Sequence, residues 1–193
     1  SSLPGLFQDV TAILKNAIAA SAALEQLQQR GFSWVVEKKG NELLKTFAEV
    51  KDRVAATRTL LANLREKVKG FGGDQLEKEF GAIGGKLERV DAVLDAFLRW
   101  LSAARHQHLL VFFQNPAEIR PGGGFIGSYA HATLMKGNLV ALDVRDVYDP
   151  DGQLELKVVP PKPLQKITAR WGARDANWFF DFPASARKVI EFF

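Results

Sequence analysis

Leu109-Leu-Val-Phe-Phe-Gln-Asn-Pro-Ala-Glu-Ile-Arg-Pro-Gly-Gly-Gly-Phe-Ile-Gly-Ser-Tyr129 is the stretch on which the fold turns. The run 109–113 is apolar at every position, which predicts a strand buried on both faces of a sheet covered by helices. Residues 125–135 alternate in polarity, as a second strand does. Between them, 114–129 reads as a long loop carrying an amide (Asn115), a carboxylate (Glu118), a guanidinium (Arg120) and three consecutive glycines, Gly122, Gly123 and Gly124. Polar, glycine-rich backbone between rigid strands is where binding and catalytic groups gather. A purely structural turn fits the same residue types, and both readings stay open.

Downstream, Lys136-Gly137-Asn138 predicts a tight turn into a strand over 139–147, with Val140, Leu142 and Val144 on one face. That strand runs into Arg145-Asp-Val-Tyr-Asp-Pro-Asp-Gly152, where proline and glycine signal a turn. Asp146, Asp149 and Asp151 have the hard oxygen donors of a divalent-cation site, although the terminal glutamate of a calcium loop is missing. Val159-Pro-Pro-Lys-Pro163 predicts an extended connection to a second polar cluster, Arg170-Trp-Gly-Ala-Arg-Asp-Ala-Asn-Trp178. There Arg174, Asp175 and Asn177 either face a ligand or form a buried salt bridge between Trp171 and Trp178. A helix is expected from near Ala184, with Pro183 suiting its first turn. It stops at Glu-Phe-Phe193, which reads as a fragment of a longer protein.

Upstream, three heptad patterns predict helices over about 3–30, about 42–69 and about 74–104. Their seams run through Leu6, Val10, Ile13, Ala17, Ala20, Leu24 and Leu27, then Phe47, Val50, Val54, Thr57, Leu61, Leu64 and Val68, then Leu76, Phe80, Ile83, Leu87, Val90, Leu94, Phe97 and Leu101. These are the alternating three- and four-residue steps of a coiled coil. Gly31 interrupts the first, Asn41 and Glu42 suit the N-cap and first turn of the second, Gly70-Phe-Gly-Gly73 breaks the chain, and Asp74 suits the cap of the third. Gly81, Gly84 and Gly85 within the third helix imply a close helix contact or a kink. No seam carries the His, Asp and Glu cluster of a di-iron bundle. His106 and His108 follow as either a metal pair or ordinary junction residues.

The fold class is therefore α+β or α/β: an antiparallel three-helix bundle or coiled coil over 1–105, then a partial α/β domain with a mixed sheet over 106–193. A net charge of +4 with interspersed charges gives no support to nucleic-acid binding, and zero cysteines exclude disulfides and thiolate chemistry. No run reaches the ~20 apolar residues of a membrane span, and no signal-peptide pattern opens the sequence.

Residues 110–129, with Asp146-Val-Tyr-Asp-Pro-Asp-Gly152, Pro160-Pro161, Arg174-Asp-Ala-Asn-Trp178 and Asp181-Phe-Pro183, resemble the bacterial domain-of-unknown-function 4012 family. The resemblance implies a cell-envelope protein on the extracytoplasmic side, with a membrane anchor that this chain lacks, and envelope polysaccharide as a partner. More remotely, Val144-Arg-Asp-Val-Tyr148 is similar to a block of the LytR-CpsA-Psr phosphotransferases, which act on polyprenyl-linked glycans. Phe125-Ile-Gly-Ser128 stands where that family carries Arg-Ser-Asp-Thr. That similarity implies a Mg²⁺-dependent site of Glu118, Arg120, Arg145, Asp146, Arg174 and Asp175, with Asn115, the three glycines and Asn177 contacting lipid-linked glycan. The alternative is a non-catalytic envelope protein whose bundle is a stalk or docking surface.

Overall fold

The computed structural model describes residues 3–69, 73–155 and 157–193. The class is α+β. Helices α1 (Leu3–Val36), α2 (Gly40–Val68) and α3 (Gly73–Ser102) precede strands β1 (Gln107–Arg120), β2 (Gly123–Met135) and β3 (Asn138–Asp146), followed by the short helices α4 (Tyr148–Gln153) and α5 (Phe182–Ile190). The chain forms two compact units, Ser1–Gln107 with Leu134–Leu139, and His108–Thr133 with Val140–Phe193.

In the first unit α2 is the shared partner of α1 and α3. Both pairings are antiparallel: Lys67 meets Asp9 at 2.6 Å and Arg53 donates to Asn16, while Lys51, Arg58 and Arg65 meet Asp95, Asp91 and Glu77 in turn. Solvated ion pairs of this kind contribute only ~0–1 kcal/mol each. Each fully buried apolar side chain contributes ~1.5–3 kcal/mol, so Val50, Leu61 and the cluster of Trp34, Leu43 and Leu101 dominate. The expected seams are only partly inward. Val10 and Leu24 of α1, and Ile83, Val90 and Phe97 of α3, are half-exposed, whereas Ala23 is buried. Phe7, Leu14 and Ile18 are exposed as well. α1 is thus apolar on more than one face, and periodicity alone does not single out the packed stripe.

Gly31 does not interrupt α1, which continues to Val36. A Cβ at Gly31 would stand in ordinary contact with Leu43, so neither a chain reversal nor a close approach accounts for the glycine. Asn41 is already helical, and Lys39 in the cap position makes no side-chain cap. The cap comes from 98 residues away, where Gly40 N–H donates to Asn138 Oδ1 at 2.7 Å. A Cβ on Gly40 would overlap the Lys136 carbonyl and the Asn138 amide. Residues 70–72 of the expected break lie outside the described residues, and Asp74 sits in the first turn of α3. Gly81, Gly84 and Gly85 face open space, so they make no close helix contact.

In the second unit the sheet order is β1-β2-β3. Two-residue connections, Pro121-Gly122 and Lys136-Gly137, make both pairings antiparallel. The expected long loop is therefore a hairpin. Residues 114–120 are strand, and β1 accommodates Pro116 because an edge strand can forgo a ladder donor. One sheet face packs on a core of Ile126, Val147, Leu164, Trp171, Ala173, Ala176, Val189 and Phe192. Val111, Phe113, Val140, Leu142 and Val144 are about half-exposed, so the run 109–113 is not buried on both faces. Asp149-Pro-Asp-Gly152, expected as a turn, belongs to α4, since proline fits a first helical turn as well as a β-turn. The start of α5 matches expectation: Pro183 lies in its first turn and Asp181 caps it, accepting from Ala184 N–H at 3.0 Å.

Asn138→Ala should lower stability by about 1 kcal/mol, the usual cost of a lost helix cap. Gly40→Ala should cost about 1–3 kcal/mol by overpacking. Urea unfolding followed at the helical band checks both, and an unchanged midpoint for Gly40→Ala would contradict the close approach.

Candidate functional site: the glycine hairpin

The hairpin end of the sheet is held by charge from below and by an amide from the side. Arg120, the last residue of β1, places Nε 2.6 Å from Asp175 Oδ1. The same carboxylate lies 3.5 Å from Arg174 Nε, and Arg174 in turn reaches Asp151 at 3.2 Å. The Asp175 side chain is 3% exposed and that of Arg120 11% exposed. Two guanidinium groups and two carboxylates thus alternate in a network that is neutral as a whole. Further donors of both arginines are engaged as well. Arg120 donates to the carbonyls of Glu118 and Ile119, and Arg174 donates to Thr168 Oγ1. Arg174 also lies over the Tyr148 ring and Arg120 over the Phe125 ring.

Burial pushes the Asp151 carboxyl above its usual range, opposed by the Ala173 N–H, which donates to it at 2.6 Å, and by Arg174. A carboxyl with a raised folded-state pKa is more costly to hold ionised in the native state than in the unfolded chain. That cost is present at neutral pH and is relieved as pH falls through the folded-state pKa.

Asn177 clamps the glycines. Its carbonyl accepts from Gly122 N–H at 2.9 Å and its Nδ2 donates to the Gly124 carbonyl at 2.5 Å. Gln114 Oε1 accepts from Gly124 N–H on the other side. A Cβ at Gly122 would press on the Asn177 carbonyl and one at Gly124 on the Asn115 carbonyl. Gly123 has φ 131°, a backbone conformation that favours glycine. Asn177 is 3% exposed, yet its Oδ1 has no hydrogen-bond partner. An orphan buried acceptor of this kind costs about 1–3 kcal/mol unless something donates to it.

Beside the clamp is a cavity of about 320 Å³. Gln114, Gly122, Gly123, Asn177 and Ser185 supply its polar lining, and Phe112, Ile126, Phe179, Phe180, Phe182 and Val189 its apolar walls. Phe180 is 91% exposed at the rim. Ser185 in α5 fixes Phe179 through both its N–H and its carbonyl, so the aromatic wall is set by the start of α5.

The residues expected at a catalytic centre fall into three groups. Arg120, Arg174 and Asp175 come together, joined by Asp151. Glu118 and Asn115 bond to each other at 3.1 Å on the exposed part of β1. Arg145 pairs with Asp143 at 2.6 Å on exposed β3, and Asp146 accepts from Tyr148 N–H. The expected cation triad Asp146, Asp149 and Asp151 does not gather, because Asp146 caps a turn and Asp151 is turned to Ala173 and Arg174. Among the described residues no group of three His, Asp or Glu side chains is placed to hold a metal. These residues therefore do not fit a Mg²⁺ centre. Gln114, the phenylalanines of 179–182 and the role of Asp151 escaped the sequence reading. The run Asn-Trp-Phe-Phe-Asp-Phe182, with more large apolar residues than a loop requires, was the available signal.

Residues 105–193 match the model of the family described as "Protein of unknown function (DUF4012)". No curated protein and no solved structure matches the chain.

Asp175→Asn removes the buried carboxylate charge that Arg120 and Arg174 share, leaving only Asp151 beside Arg174, and should cost about 3–5 kcal/mol. Asp143→Asn, breaking a solvated pair, should cost no more than about 1 kcal/mol. Chemical denaturation of both variants decides whether burial separates them as stated. For Asp151→Asn, stability relative to the parent should move in the parent's favour between pH 7 and pH 4, because only the parent sheds its ionisation cost. A shift towards the variant over that range would reverse the sign of the argument.

Proposed function

We propose that residues 105–193 form the ligand-binding part of a cell-envelope protein, non-catalytic in itself, which takes a sugar ring of an envelope glycan in the cavity beside Gly122 and Gly123. The observation that carries the reading is a cavity walled by phenylalanines whose few polar groups come from Gln114, Asn177 and Ser185. A pocket with apolar walls and a few fixed polar groups is the usual form of a small-ligand site. A pyranose matches it, since its C–H face stacks on aromatic rings while its hydroxyls pair with polar side chains. The envelope setting and a membrane anchor outside this chain rest on the family resemblance, and the helical unit is assigned as a stalk or docking surface.

The phosphotransferase reading asks more of the same residues. Pyrophosphate is gripped by guanidinium forks that are open to it. Here Arg120 and Arg174 are committed to Asp175 and Asp151, and Arg145 is paired with Asp143.

The test is a titration of the full 193-residue chain, ¹⁵N-labelled, with glucose, galactose, mannose and N-acetylglucosamine, followed by amide shifts. At least one sugar should saturably shift residues around 122–126 and 177–189, and Phe180→Ala should weaken its binding at least about fivefold while leaving the fold intact. Binding of undecaprenyl phosphate that depends on Mg²⁺ and is lost in Arg145→Ala, with no response to any sugar, would replace this reading by the phosphotransferase one.

A further inference from the structure

On the α5 side of the sheet a second cavity, about 610 Å³, has two imidazoles on its wall. His108 of β1 and His131 of β2 are cross-strand neighbours, with His108 Nδ1 3.1 Å from His131 Nε2. Their ring centroids are 5.2 Å apart and their planes 30° from one another. Thr133 Oγ1 lies 3.4 Å from the same Nδ1. Asp143, Arg145 and Tyr129 border the cavity, and Phe182, Ala186 and Ile190 close it from α5.

We infer that His108 and His131 form a two-histidine chelating site for a divalent transition-metal ion. The bite distance carries the inference. With metal–nitrogen bonds of ~2.0–2.1 Å, two imidazole nitrogens are ~2.9 Å apart at a right angle and ~3.3 Å apart in a tetrahedron. The observed 3.1 Å lies between them. The paired strands hold the two rings at that spacing, and chelation replaces the hydrogen bond between the facing nitrogens by turning both rings so that the nitrogens converge on the ion. An all-imidazole donor pair selects Cu²⁺, Ni²⁺ or Zn²⁺ over Mg²⁺ and Ca²⁺. Coordination requires both facing nitrogens to be unprotonated, which places the ring protons on His108 Nε2 and His131 Nδ1. With only two protein ligands, the remaining positions are left to water or to a metal-binding group of a molecule in the cavity. The two histidines belong neither to the ion network nor to the lining of the glycine-hairpin cavity, which shares with this one only the walls Phe112, Phe182 and Ala186, and the inference stands whether or not sugar binds there.

The experiment uses the tag-free 193-residue chain, stripped with chelator and dialysed, then titrated with ZnCl₂ by calorimetry and with CuSO₄ by electron paramagnetic resonance. One equivalent of Zn²⁺ should bind, and His108→Ala and His131→Ala should each weaken it at least tenfold, whereas His106→Ala should not. The Cu²⁺ spectrum should carry the splitting of two imidazole nitrogens, reduced in either variant. Histidine ring resonances of the unsubstituted chain provide a readout that does not depend on a variant folding: those of His108 and His131 should be the ones that move. Absence of a one-equivalent site, equal binding in all variants, or loss on His106→Ala alone would overturn the inference.

Discussion

The ion pair between Arg120 and Asp175 is the constraint on which the second unit depends. Asp175 follows Ala173, which is fully buried in the core, and its own carbonyl accepts from Trp171 Nε1 at 3.0 Å. Arg120 ends β1. Their bond therefore fixes the last strand residue before the glycine turn to a segment that is otherwise irregular. Once that link is made, Asn177 falls against Gly122 and Gly124, and Phe179 and Ser185 are set for the start of α5. A charge pair this deeply buried contributes through geometry more than through energy: desolvation offsets much of its attraction, while loss of one partner is expensive.

That arrangement separates two roles which the residue types alone confuse. Arginines beside aspartates in a glycine-rich motif suggest phosphate chemistry, and the same residues serve equally well as a neutral internal strut. Burial decides between them. The four charged groups of the network neutralise one another, and the cavity that does open beside the hairpin is lined by rings and amides. The three glycines then have a structural reason, since two of them are pressed by neighbouring carbonyls and Gly123 has positive φ.

Much of this was legible in the sequence. Helix period placed α1, α2 and α3, the turn residues at 136–138 placed the second hairpin, and Asp181-Phe-Pro183 placed the start of α5. Burial was harder to read, because apolar residues lie on more than one face of α1 and because the half-exposed Val111 and Phe113 look the same in sequence as buried ones. Long-range partners were not legible at all. Nothing near Gly40 announces Asn138, and nothing near His108 announces His131. The salt-bridge reading of Arg174 and Asp175 was available from their flanking tryptophans, but Asp151 looked like a cation ligand because spacing records neither what a carboxylate faces nor how deeply it is buried.

The most direct measurement follows the side-chain Nε–H resonances of Arg120 and Arg174 by ¹⁵N NMR while inorganic pyrophosphate and Mg²⁺ are added to saturation. A structural network predicts that both signals are protected from exchange and do not move. A saturable shift of either one, with loss of protection, would show guanidinium groups open to phosphate and would contradict the account.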